Sequence, residues 1–330
     1  MKKKITAMLL AICCISSTWT VYADDFSSGS SEVEIEITED EDADVDDVEI
    51  TEDADANDEM FSDGTESSTS GGDISAMANQ IVARAEIQAQ EYLSLIHISH
   101  GIGHIVNACA SIESLKATKE LMEKYPFVYG AFGIHPDDAE KMTEDTLNEI
   151  RRLCHLPKAV AIGEIGLDYY WHKEEREHEI QKKMFRAQME IAREEKMPFM
   201  IHSRDAARDT LELVKECMKE GMHGGIIHCF SYGKEMAREY LNMGLYLGIG
   251  GVVTFKNAKK LKDVVEYAPL EQLVLETDSP YLSPEPNRGK RNSSLNLPYV
   301  AAMIAELKGI SGEEVIAVTE ENAKRLLFRK

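Results

Sequence analysis

Four short segments, far apart in the chain, each end an apolar run with a side chain of the kind that binds metal. They are Ala-Val-Ala-Ile-Gly-Glu164, Pro-Phe-Met-Ile-His202, Gly-Ile-Ile-His228 and Leu-Val-Leu-Glu-Thr-Asp278. A short continuous apolar run is how a fully buried parallel strand reads, since both of its faces are covered. Parallel strands closed into a (β/α) barrel carry their catalytic groups at their carboxyl ends. Four such endings at matching positions let oxygen and nitrogen donors converge above one barrel mouth. Glu164, His202, His228 and Asp278 are therefore the candidate metal ligands, a donor set that suits Mg, Mn, Zn or Fe and leaves the metal's identity open.

The pattern between these segments alternates strand and helix. Helical spacing over 113–125, 144–154, 174–196, 206–220, 234–241, 258–267, 298–307 and 312–327 separates apolar strands at 102–110, 128–134, 159–165, 198–202, 225–229, 245–250 and 273–276. Alternation of this kind marks an α/β fold with a parallel sheet. Seven strands are present where a TIM-type (β/α) barrel needs eight. The expected fold of residues 101–330 is thus a TIM-type barrel lacking its first strand, and strands 102–110 and 273–276 would be left without a neighbour.

The residues around the four endings form longer motifs: Gly163-Glu-Ile-Gly-Leu-Asp-Tyr169, Ile201-His-Ser-Arg204, His228-Cys-Phe-Ser231 and Glu276-Thr-Asp-Ser-Pro-Tyr-Leu282. Gly133-Ile-His-Pro136 precedes them and Asn287-Arg-Gly-Lys-Arg-Asn292 follows. Together, from about Gly101 to Leu327, they resemble the TatD family of metal-dependent deoxyribonucleases, within the amidohydrolase-like barrels. The family's opening strand with His-x-His has no counterpart here. His97 and His100 are spaced His-x-x-His, on opposite faces of an extended strand, and directly precede strand 102–110, which leaves no room for a parallel crossover.

The resemblance implies one or two divalent ions per chain, with Glu164 bridging them, His202 and His228 binding one, and Asp278 both ligating and accepting a proton. Glu164 and Asp278 are then the catalytic pair. Arg204, Arg288, Lys290 and Arg291 are expected to contact substrate phosphates, Arg204 through its planar fork, and His135 either to do the same or to support the metal ligands. Tyr169, Tyr170 and Trp171 either stack a base or pack at the rim. Cys229, beside His228, is expected to pack rather than react.

The amino-terminal third has a different character. Three Lys follow Met1, an apolar stretch runs over 5–21, and Val21-Tyr-Ala23 closes it, so residues 1–23 read as a signal peptide cleaved after Ala23. Residues 24–73 hold 21 Asp or Glu and no Lys or Arg, and are expected to be disordered for want of apolar surface. Residues 74–100 read as a helix and a junction. Within it, 93–99 resembles translated sequencing-adapter sequence, which makes a chimeric join an expectation. Secretion or export is expected if the leader is genuine, and a cytoplasmic protein if it is a join. Without the tail's 21 carboxylates and the leader's three Lys, a net charge of −23 becomes −5, so DNA must be met by a local basic patch. Six scattered Cys with no Cys-x-x-Cys pair make no disulfide framework.

The expected function is metal-dependent hydrolysis of DNA phosphodiester bonds. DNA is the expected partner, with no membrane contact after leader cleavage and no protein partner. Two alternatives stand beside it: a small-substrate hydrolase of the amidohydrolase type, and an inactive chimeric or truncated fragment.

Overall fold

The computed structural model describes residues 9–15, in their backbone, and 102–328. Its strands are β1 (Leu9–Ile15), β2 (Ile102–Cys109), β3 (Val128–Ala131), β4 (Ala159–Asp168), β5 (Phe199–Arg204), β6 (Gly225–Ile227), β7 (Tyr246–Ile249) and β8 (Leu273–Leu275). The helices are α1 (Ile112–Lys124), α2 (Glu144–Cys154), α3 (Glu175–Glu194), α4 (Ala207–Lys219), α5 (Lys234–Asn242), α6 (Lys259–Tyr267), α7 (Leu297–Lys308) and α8 (Gly312–Leu327). The strands pair in parallel in sequence order, and β2 to β8 curl into the greater part of a TIM-like barrel with helices outside.

Local signals start and stop these elements where the sequence marks them. Ser111 and Thr143 cap α1 and α2 in capping boxes that satisfy first-turn N–H groups. Gly309, in the left-handed region, terminates α7.

Side-chain alternation along the strands sorts the core into two layers. Ile105, Cys109, Phe199, Ile201, Ile227, Leu273 and Leu275 join the layer that packs against the helices. Their neighbours Val106, Ala108, Met200, Ile226 and Val274 join the other, inside the sheet's curve. Ala323, Leu326 and Leu327 of α8 complete this inner layer. Asn322 Nδ2 anchors α8 by donating to the carbonyls of Leu270 and Leu273, both at 2.8 Å. Because Leu273 opens β8, α8 plugs the amino-terminal end of the barrel. The carboxyl-terminal mouth stays free for polar groups.

The seven strands expected from the sequence are present as β2 to β8, and one further segment pairs with them. The backbone of Leu9–Ile15 runs parallel to β2, with Leu10 opposite His104 and Ile15 opposite Cys109, and it also neighbours β8. Its apolar run, read from sequence as the core of a leader, satisfies the same rule that a buried strand does. It contains no His, so it does not restore a His-x-His pair. The acidic segment 24–73 and the junction 74–100, including His97 and His100, lie outside the described residues.

A cleaved leader and a β1 strand exclude each other in one molecule. Deleting residues 1–23 should therefore lower the stability measured by urea unfolding by about 3 kcal/mol or more, since each buried backbone group left without a partner costs about 1–3 kcal/mol. An unchanged midpoint would show that the β1–β2 pairing contributes nothing in solution.

Candidate metal centre

The inner face of the sheet, followed toward the carboxyl ends of the strands, turns from apolar to ionisable. His202 continues the face of Met200 in β5, His228 and Glu276 directly follow β6 and β8, and Asp278 lies two residues further on. In β4 a register shift lies between Ile162 and Ile165. Ile165 and Leu167 pack outward beyond it, so Glu164, Gly166 and Asp168 share the inner face. His135 follows β3 and starts the 3-10 turn Pro136–Lys141, accepting from the Asp137 N–H.

The side chains at this mouth are in mutual contact. Glu164 Oε1 lies 3.1 Å from His202 Nδ1 and 3.8 Å from His228 Nε2, so one carboxylate stands between two imidazoles. His202 Nε2 is 2.9 Å from Asp168 Oδ2. His228 Nε2 is 3.3 Å from Asp278 Oδ1, and its Nδ1 is 2.8 Å from Glu276 Oε2. The other Glu276 oxygen accepts from the Cys229 N–H. The His135 ring packs edge-on against His202 at 4.2 Å. Two sets of donor atoms result, His135–Asp168–His202 and His228–Cys229–Asp278, each within 4.8 Å. Glu164 joins them.

Two glycines make this approach possible. A Cβ on Gly166, whose φ is +149°, would lie 1.9 Å from the His202 carbonyl oxygen. One on Gly248 of β7 would lie 2.0 Å from Glu276 Oε2. The first lets β4 lie against β5, and the second leaves space for a buried carboxylate.

The electrostatics are those of a cation site. Burial acts to raise the Glu164 carboxyl, yet His228, His202 and His135 hold it well below its usual range. Asp168 is likewise lowered by His202 against its own burial. Burial disfavours charge on His202, but the hydrogen bonds to Asp168 and Glu164 outweigh it and push the imidazole up to about 9. Glu276 is raised, first by burial and then by the like charge of Asp278, with His228 opposing. Four carboxylates, three of them buried, surround two imidazoles. Even with both imidazoles protonated the cluster is negative, and buried charge without compensation is costly. Divalent ions fit this cluster, whose donor atoms come from His135, Asp168 and His202 on one side and His228 and Asp278 on the other, with Glu164 between them.

The four sequence-derived candidates are thus brought together, and His135 joins them. Arg204 ends β5 two residues beyond His202, its guanidinium 3.9 Å over the Tyr170 ring. Arg288, Lys290 and Arg291 lie exposed on the loop after Asp278, with Arg288 4.3 Å over Phe255. The three aromatic residues separate: Tyr169 is stacked on His178 at 3.6 Å and bonded to Asp209, whereas Trp171 is exposed. Burial and the charges of Asp278 and Glu276 push the Cys229 thiol well up, which disfavours a nucleophilic thiolate. Asp168 and Glu276 were not among the sequence candidates. Each has a signal: Asp168 lies four residues after Glu164 in β4, a spacing that keeps one face of a strand, and Glu276 ends the apolar run two residues before Asp278.

Comparison with known proteins agrees with this geometry. The family model described as TatD related DNase matches residues 88–328. A Bacillus subtilis protein described as an uncharacterized metal-dependent hydrolase, YabD, is 50% identical over 207 residues, covering 63% of this chain and 80% of its own. A Citrobacter rodentium protein described as the 3′-5′ ssDNA/RNA exonuclease TatD is 32% identical over 232 residues, covering 68% and 87%. The crystal structure of YJJV, a TatD homolog from Escherichia coli K12, superposes with a TM-score of 0.68 at 26% identity, covering 74% of this chain and 93% of that one. The chain belongs to the TatD family of metal-dependent hydrolases.

Proposed function

We propose that this chain hydrolyses phosphodiester bonds in single-stranded DNA, removing nucleotides from an end, with one or two divalent ions at the barrel mouth. The observation that carries the reading is the position of Glu164, its carboxylate oxygen placed between the imidazoles of both donor sets. The relative named as an ssDNA/RNA exonuclease supports the substrate class. Ions held by Glu164, His202, His228 and Asp278 would supply Lewis acidity and lower the pKa of water. Asp278, partly exposed beside His228, is the carboxylate that accepts the proton. Arg204 offers phosphate a planar fork from the end of β5. Arg288, Lys290 and Arg291 add positive charge from the loop after Asp278, and His135 orients His202 and faces the same phosphate.

The leader-like residues 1–23 support export as the destination, and the pairing of Leu9–Ile15 with β2 supports a protein that keeps them. Amino-terminal sequencing of the protein from cells separates the two: a chain starting at Asp24 supports export, and an intact leader supports retention.

The activity is tested with a panel of end-labelled single-stranded DNA, duplex DNA, RNA, small amides and lactones, with Mg, Mn or Zn added. The expected result is stepwise shortening of single-stranded DNA that EDTA stops. Turnover of amides or lactones alone would favour the small-substrate reading. No turnover of any substrate would favour the inactive-fragment reading.

A further inference from the structure

We infer that Trp171 is a stacking subsite for a nucleobase of the bound strand, with Arg204 behind it to hold the adjoining phosphate. The inference rests on the phosphodiesterase reading and deepens it. Trp171 is 58% exposed, the most open large apolar side chain among the described residues. A Trp so placed forgoes burial that a core position would provide.

Hydrogen bonds tie its backbone to the candidate ion site. The N–H groups of Tyr170 and Trp171 both donate to Asp168 Oδ1, at 3.0 and 3.1 Å. The other oxygen of that carboxylate contacts His202 Nε2 at 2.9 Å. The backbone carrying the indole is therefore tied through one carboxylate to an imidazole of the metal centre. Tyr170 meets the indole edge-on, with ring centroids 4.7 Å apart at 86°. The Arg204 guanidinium lies 3.9 Å from the Tyr170 ring centre and 5.5 Å from that of Trp171, and Lys173 Nζ lies 5.1 Å from Tyr170. Tyr169, one residue earlier, is locked by His178 and Asp209 and takes no part.

An exposed indole backed by cations has the chemistry to bind one nucleotide unit: a π face for the base and positive charge for its phosphate. Stacking of this kind tolerates every base, which suits a strand processed without regard to sequence. Planar apolar ligands without phosphate would gain only half of the arrangement.

The test uses the full chain. Trp19 is the only other tryptophan, so a Trp19→Phe protein reports Trp171 alone by fluorescence. Adding oligo-dT, with no added metal, should quench that emission. Trp171→Ala should raise KM for single-stranded DNA about 5- to 150-fold, the range of one lost base stack, and Trp171→Phe should recover most of it. Placing an abasic nucleotide at successive positions from the cleaved end should find one position where the Ala substitution changes KM less than twofold. A merely structural role would give no such position. Cleavage of single-stranded DNA by the parent, with KM and emission indifferent to Trp171 and to oligo-dT, would overturn the subsite alone. A parent chain that neither binds nor cleaves DNA would overturn the phosphodiesterase reading and the subsite with it.

Discussion

Asp278→Asn should lower kcat on single-stranded DNA by about 10²- to 10⁴-fold, the usual contribution of a positioned proton-transfer group, while leaving the unfolding midpoint close to that of the parent. Asp278 has φ +54°, in the left-handed region. Asn is one of the few other residues that adopts this conformation readily, so the substitution keeps the backbone and the side-chain shape. It removes the negative charge and the basic oxygen 3.3 Å from His228 Nε2. Ala at the same position would add backbone strain and confuse the two effects. Steady-state kinetics alongside thermal unfolding checks the prediction. A kcat within tenfold of the parent would place the proton acceptor elsewhere, with Glu276, buried two residues earlier, as the next candidate.

The largest expected loss of stability comes from Gly166→Ala. The added methyl group would lie 1.9 Å from the His202 carbonyl oxygen. Both the obstacle and the residue are backbone in paired strands, and Gly166 sits directly opposite His202 in the β4–β5 register. Rotating a side chain cannot relieve this clash, so the strands must separate. The φ of +149° adds strain for any residue with a Cβ. A cost above about 4 kcal/mol is expected, at the extreme of single substitutions, and the pairing of His202 with Glu164 should be lost as well. Gly312→Ala is the control, because its Cβ would meet nothing within 4 Å. Urea unfolding of the two variants should show a large drop for the first and little change for the second. Equal midpoints would mean that β4 and β5 do not meet closely at Gly166.

Much of this arrangement was legible from the chain because parallel strands advertise themselves. Their apolar runs end where polar chemistry begins, and Glu164, His202, His228 and Asp278 stand at or just beyond those ends. Helix boundaries agreed within two residues where caps such as Ser111, Thr143 and Gly309 fixed them. Strand ends were less legible: Cys229 and Asp278 leave the sheet through positive φ values that an apolar pattern does not encode. Asp168 and Glu276 do not stand out in the sequence, where each is one carboxylate among many. Their importance arises from burial against His202 and His228, a tertiary fact. The same holds for Leu9–Ile15, since an apolar leader and an apolar strand obey one hydrophobic rule and the pairing with β2 is a tertiary fact. Trp171 and Tyr169, two residues apart, read alike in sequence, and packing against His178 and Asp209 separates the partly buried one from the exposed one.

The metal centre itself is tested most directly by counting ions. The full chain, stripped with chelator, is titrated with Mn²⁺ under calorimetric observation, and the saturated protein is assayed by mass spectrometry of its metal content. One or two ions per chain are expected, bound about 100-fold or more weakly in Glu164→Gln and in His228→Asn while circular dichroism shows the barrel intact. Saturable binding indifferent to both substitutions, or none at all by the folded parent, would contradict a metal centre built on Glu164, His202, His228 and Asp278.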